Sequence, residues 1–340
     1  MRIMFNKLFA ISLARISFLN LREKILLSTN LKTAEELSLV SLDDISKIVK
    51  RTIRAQWNGK KNLHDAECEL FIIEKRNIEM ILHGDAFYPA LLREITNPPF
   101  ALFCRGTVSS LCEKTISIVG TRRMTISGKN AAHDFAYEAA VDGFSIVSGL
   151  AHGIDGEAHK GAVDANFDND GNARIGKTIA ILPCGCDAIV PRSHVTLAEK
   201  ILQTGGVLVS EYVPGVESEA WRFVHRNRII AGFSPATLVV ESPPGSGALL
   251  TAQFALDANR DVFFHEAAFS EQAKKMSAAV LQKLKNDAEI KKLSKAKLEN
   301  TNERFVRDGA CVIKNYQDFL EAKKNPPAHR VKNLELFSEK

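Results

Sequence analysis

Three segments of this chain join glycine to hydroxyl or cationic side chains, and each follows an apolar run. Gly120-Thr121-Arg122-Arg123 follows Ile116-Ser117-Ile118-Val119 and leads to Gly128. Ser148-Gly149-Leu150-Ala151-His152-Gly153 follows Phe144-Ser145-Ile146-Val147. Ser246-Gly247 follows Thr237-Leu238-Val239-Val240 and a proline turn. Each reads as strand, glycine turn, helix. Such a turn puts no side chain between a ligand and the backbone N–H groups at the positive end of a helix dipole, a place that suits phosphate. At the carboxyl rim of an open α/β sheet the three loops would form one extended cradle.

A fourth segment, Arg222-Phe223-Val224-His225-Arg226-Asn227-Arg228, sets a ring among guanidinium groups, with Trp221 before it. That suits a base stacked on Phe223 with phosphates alongside. The surroundings of Arg226 and Arg228 are apolar, so at least one of them is expected to be buried against a carboxylate such as Glu211 or Glu241.

Other chemistries fit less well. His152, His159, His194 and His225 with Cys184 and Cys186 lack zinc-ligand spacing, so no metal is expected. Ser148 lacks a nucleophile elbow. Gly120 to Gly128 lacks the three-glycine spacing of a dinucleotide site, so no cofactor is expected.

The elements that must position these residues are legible in outline. Apolar runs alternate with helical patterns from about Phe100 to Glu266, including Ile179–Leu182, Val207–Glu211 and Val262–Phe264. This predicts an α/β fold with a mostly parallel sheet and helices on both faces. Before it, residues 1–80 read as a small helical domain of SAM-like or hairpin type. Phe9, Leu13, Ile16 and Leu19 keep helical spacing, Thr33 to Glu36 resembles a capping box, and Ser41 opens a further helix. Residues 81–325 form the main domain. Ala165 to Gly176 is predicted to be an exposed loop. Residues 271–300 read as a lysine-rich helical insertion with Met276, Val280 and Leu284 on one stripe, and 326–340 as a mobile tail.

The 340 residues carry a formal net charge of +5. The excess is concentrated in lysines after Ser270, compatible with a polyanionic partner. Six cysteines at irregular spacing, without an export signal, predict reduced thiols in the cytoplasm. Arg15 interrupts the apolar start too early for a membrane span.

Together these residues resemble the DprA (Smf) family of DNA-processing proteins of bacterial transformation. The resemblance runs from Gly84-Asp85, Tyr88-Pro89 and Pro98-Pro99 through the Gly120 and Ser148 loops to Ser210-Glu211-Tyr212. It is most specific at Phe223, Arg226-Asn227-Arg228 and Ile229 to Gly232. It continues through Glu241, Ser246-Gly247 and Thr251 to Asp308-Gly309. The resemblance implies an extended Rossmann-like domain that binds single-stranded DNA without base preference. It also implies a homodimer, RecA-type recombinase loading and no catalysis. The DNA-binding residues it implies are Gly120, Thr121, Arg122, Arg123, Ser148, Gly149, His152, Gly153, Arg222, Phe223, Arg226, Asn227, Arg228, Ser246 and Gly247. Relatives usually carry a lysine where Ala220 stands here. Two alternatives remain open. One is a nucleotide phosphoribohydrolase-like enzyme, whose loop Pro244 to Gly247 resembles although Ala252 falls where its glutamate would be. The other is a protein adaptor.

Overall fold

The computed structural model describes residues 6–169, 174–291 and 298–324. Five short helices come first: α1 Lys7–Ala14, α2 Leu21–Asn30, α3 Ala34–Leu39, α4 Leu42–Val49 and α5 Gly59–Lys75. Each starts where a polar side chain accepts from a backbone N–H of the first turn, namely Asn6, Asn20, Thr33, Ser41 and Asn58. Ile16 and Leu19, although at helical spacing with Phe9, lie beyond the end of α1. Arg15 caps α1 there and pairs with Asp65 and Glu69 of α5.

Nine strands form one sheet: β1 Glu79–Leu82, β2 Ala101–Gly106, β3 Thr115–Val119, β4 Ser145–Ser148, β5 Thr178–Ile181, β6 Val207–Ser210, β7 Ala236–Val239, β8 Asp261–His265 and β9 Cys311–Ile313. Their order is β1-β2-β6-β5-β4-β3-β7-β8-β9. The run from β6 to β9 is parallel, and β1 and β2 add an antiparallel edge. The crossovers include α6 Ile126–Val141, α7 Ile154–Asp168, α8 Val195–Gln203, α9 Ala220–His225, α10 Asn227–Phe233 and α11 Gly247–Asp257. After β8 comes α12, Glu271–Lys291.

Side chains alternate between the sheet's two faces with the strand period of two. Ile118, Ile146, Leu238 and Phe263 pack with α6 and α7. Val119, Val147, Val239 and Phe264 pack with α10 and α11. The N-terminal helices pack on one another, α1 and α3 against α5 and α2 against α4, and Phe9, Ile11, Leu13 and Leu27 belong to one cluster with Phe103, Ala180, Leu182 and Leu208 of the sheet. The boundary expected near residue 80 falls inside β1.

A second correction concerns Ala165 to Gly176. Residues 165–168 are the last turn of α7, and Ala165 and Asn166 are buried. The Asn166 amide donates to Ala162 O and Gly176 O, so an asparagine that reads as a loop residue closes the helix onto β5's approach. The expected tail at 326–340 lies outside the described residues. Among those described, no helix is long and apolar enough to cross a membrane.

Candidate nucleic-acid interface

Strand order reverses at β3, whose neighbours are β4 and β7. The crevice outside the carboxyl ends of β3 and β7 is where such sheets hold ligands. A cavity of about 840 Å³ lies there, lined by Gly120 to Arg123, Glu241 to Pro243, Ser246, Gly247, Phe223, Arg226 and Asn227. Of the residues expected to bind DNA, those of these two rim loops and of the α9–α10 segment converge on one site. Of the Ser148–Gly153 loop only Ala151 lines the cavity, with Asp155 just beyond it in α7.

The β3–α6 loop is braced from beneath. Thr121 N donates to Glu241 O at 2.6 Å, and Thr125 N and Oγ1 donate to the buried Glu241 carboxylate at 2.8 and 2.7 Å. Thr125 Oγ1 in turn accepts from Gly128 N and starts α6. Any Cβ at Gly128 would collide with that carboxylate. The start of α6 is therefore already served by an internal anion, and the loop offers side chains instead. Arg122 and Arg123 are exposed. The Arg122 guanidinium lies 5.3 Å from the centre of the half-buried Phe223 ring, a cation–π arrangement with both groups at the cavity.

The β4–α7 loop is closed on itself, and this corrects the reading of it as a phosphate cradle. Ser148 and Gly149 are buried; Ser148 Oγ donates to Ile118 O. Gly149 N donates to the Asp155 carboxylate at 3.2 Å, and Ala151 and Gly120 also hydrogen-bond that carboxylate through their backbones. Burial raises the Asp155 pKa, with Arg226 and those N–H groups opposing. Leu150, at φ 54°, donates its N–H to His159 Nε2 at 3.3 Å. His159 Nδ1 then donates to Thr178 Oγ1 at 2.6 Å, which fixes a neutral imidazole. Burial, aided by His194 and Arg226, pushes its pKa down to about 3. Gly153, at φ 78°, lies against Thr121 O, where a Cβ would clash. His152 is exposed, its ring 4.9 Å from His194.

The α9–α10 segment divides in the same way. Arg226 is buried: it fills the space above Gly149, donates to Ile181 O and sits beside Asp155. Burial lowers its pKa to about 10, with Asp155 opposing. Arg228 makes a two-pronged bond to Glu211 at 2.6 and 3.2 Å. Burial raises the Glu211 pKa, but His225 and Arg228 outweigh it and hold the carboxyl below its usual range. Both arginines, expected at the DNA, serve the fold, since a buried guanidinium needs a carboxylate or carbonyl partner. Asn227 is buried and braces Gly247 O at 3.2 Å. Arg222 is mostly covered. It pairs with Glu219 at 2.8 Å and lies 5.1 Å from both the Tyr212 and Trp221 ring centres, so it orients rings. Ser246 caps α11, and exposed Gly247 lines the cavity.

Asp155 escaped sequence reasoning, and so did where three features named there, Glu241, Trp221 and the α12 stripe, come to lie. Asp155 and Glu241 are the anions that fill the loops; an acidic residue in the first turn after a glycine loop was the available sign for Asp155. Trp221 is 52% exposed beside Tyr212 and His225, an aromatic surface next to the cavity. The expected stripe on α12 reaches the cavity itself, through Met276 and Val280. The Cys184 and Cys186 thiols are buried, and burial raises both pKa values.

Residues 79–323 match the family model of DNA recombination-mediator protein A. Protein Smf of Escherichia coli is 40% identical over 197 residues, which are 58% of this chain and 50% of that protein. Protein Smf of Borreliella burgdorferi is 28% identical over 309 residues, 90% of this chain and 94% of its own. The chain spans about half the length of the Escherichia coli and Synechocystis relatives. The fold matches DNA processing protein A of Streptococcus pneumoniae with a TM-score of 0.66 at 24% identity, covering 94% of this chain and 98% of that one. It also matches the Helicobacter pylori protein, described for its single-stranded DNA binding mode, with a TM-score of 0.55 at 23% identity, covering 73% and 95%.

Proposed function

The chain belongs to the DNA recombination-mediator protein A family, and on that premise we propose that it binds single-stranded DNA, without base preference, at the β3/β7 crevice. In this reading it protects strands during transformation and recombination, acts as a homodimer in the cytoplasm and helps load a RecA-type recombinase. It carries out no catalysis.

The observation that carries the reading is the pairing of exposed Arg122 with the half-buried Phe223 ring at a cavity on the switch point. One group suits a phosphate and the other the face of an unpaired base. The non-enzymatic reading is supported by the two acidic side chains in the cavity. Asp155 is tied to backbone N–H groups and Arg226, and Glu241 to Thr125, so neither is free to act as a general base.

The test is fluorescence anisotropy with labelled oligo(dT) and a duplex of equal length. The single strand is expected to bind more tightly. Its affinity is expected to fall at least about tenfold between about 50 and 200 mM salt as counterions are released. Equal affinity for duplex, with no salt dependence, overturns the reading.

A further inference from the structure

Helix α12 roofs the cavity without filling it. Met276 and Val280 line the same space of about 840 Å³ as Phe223, Val224 and Arg122. The helix is anchored at its start. There Ala273 is buried, Ala273 N donates to Ser270 Oγ at 3.2 Å, and Lys274 N donates to Ser270 O at 2.8 Å. In the next described segment, Asn300 O accepts from Gly245 N at 2.9 Å, and the Asn302 amide donates to Ser242 O at 2.9 Å, both on the β7–α11 loop at the cavity's edge. Beyond Ala273, side chains 274–286 are exposed or half-buried. The polar pairs among them, Lys274 with Glu271 and Gln282 with Asn286, stay within the helix.

We propose that α12 is a strap over the bound strand, with Met276 and Val280 as base-contacting residues that share the occupant with Phe223. This rests on the single-strand reading above and adds a wall to that site. The chemistry of the wall fits an unpaired strand. Methionine is flexible and polarizable, so one side chain accommodates bases of different outline. At 100° per residue, Lys283 flanks the Ala273–Met276–Val280–Leu284 stripe, whereas Lys274, Lys275 and Lys285 fall on the outward half of the helix. A strand beneath the stripe would have the Lys283 cation beside it for a phosphate. Because the cavity is open space beneath α12, the helix covers the site and does not compete for it. A strand would enter by an end or by the strap lifting, and would leave slowly.

The experiment uses the full chain with Met276→Glu and Val280→Glu combined, in parallel with wild type and Arg122→Ala. Both strap positions are partly solvent-exposed, and a thermal melt checks that the fold is retained. Dissociation of labelled oligo(dT) is followed by stopped-flow competition, and base shielding by permanganate oxidation of the bound thymines at saturating protein. The double variant is expected to release oligo(dT) at least about tenfold faster and to lose thymine protection. If wild type and Arg122→Ala behave as a single-strand binder should, while the double variant keeps wild-type release and protection, the strap is refuted and the single-strand reading stands. If the double variant binds faster and more tightly, α12 is a plug, and the proposal is overturned. If wild type does not bind oligo(dT), both readings fail.

Discussion

The β3–α6 and β4–α7 loops leave adjacent parallel strands at one rim, and both contain glycine, yet they do opposite things. The first carries exposed Arg122 and Arg123. The second spends its N–H groups on Asp155 and His159 and seats Arg226 against Gly149. The difference teaches that glycine in a rim loop marks close approach and not the identity of what approaches. At Gly149 the visitor is the protein's own guanidinium, and at Gly128 it is the Glu241 carboxylate. What reaches solvent is decided by residues far away in sequence.

The sharpest way to break this comparison is Arg226→Ala. It leaves Asp155 buried without its cation and is expected to cost about 3–5 kcal/mol of stability, measured by denaturant unfolding. A loss below about 1 kcal/mol would mean that the β4–α7 loop does not depend on its internal pair. Arg122→Ala tests the open loop. The expected cost is about 1.5–3 kcal/mol of oligo(dT) affinity, with stability within about 0.5 kcal/mol of wild type. Early unfolding with unchanged affinity would move Arg122 to the structural side.

Acid tests the closed loop by another route. The His159 pKa is about 3 in the fold against an ordinary 6.5, so its contribution is full above 6.5 and is lost as pH falls toward 3. Between about pH 7 and 5 it should remove about 2 kcal/mol of stability. Asp155, whose pKa is raised, contributes the opposite slope in the carboxylate range. Comparing His159→Gln with wild type at the two pH values isolates the imidazole, since glutamine keeps an acceptor for Leu150 N without titrating. An equally steep slope in that variant would rule His159 out as the source. The smallest effect is expected at Arg123→Ala. It should cost less than about 1 kcal/mol of affinity and reduce the log–log salt slope by about one, in an anisotropy titration against salt.

How much was legible follows the same physics. The central strands announce themselves as unbroken apolar runs because both faces of the sheet are covered. β1 and β9 escaped because they are only four and three residues long and lie at the edges. The Arg228–Glu211 pair was among the expected partnerships, whereas Arg226 turned to Asp155 and Ile181 O. No local pattern distinguishes a buried arginine from an exposed one, because the distinction is made by a partner 71 residues earlier in the first case and a carboxylate 17 residues earlier in the second. Phe223, by contrast, is half-buried beside Arg122.

Synthesis runs in the opposite order to packing. Ile11 and Leu13 leave the ribosome early, but Ala180, Leu182 and Leu208, which complete the same apolar cluster, come nearly two hundred residues later. At about 5–20 residues per second, those apolar faces wait on the order of ten to forty seconds for their partners. A ribosome stalled before β6 would therefore present the N-terminal helices with the sheet's share of their apolar cluster still missing.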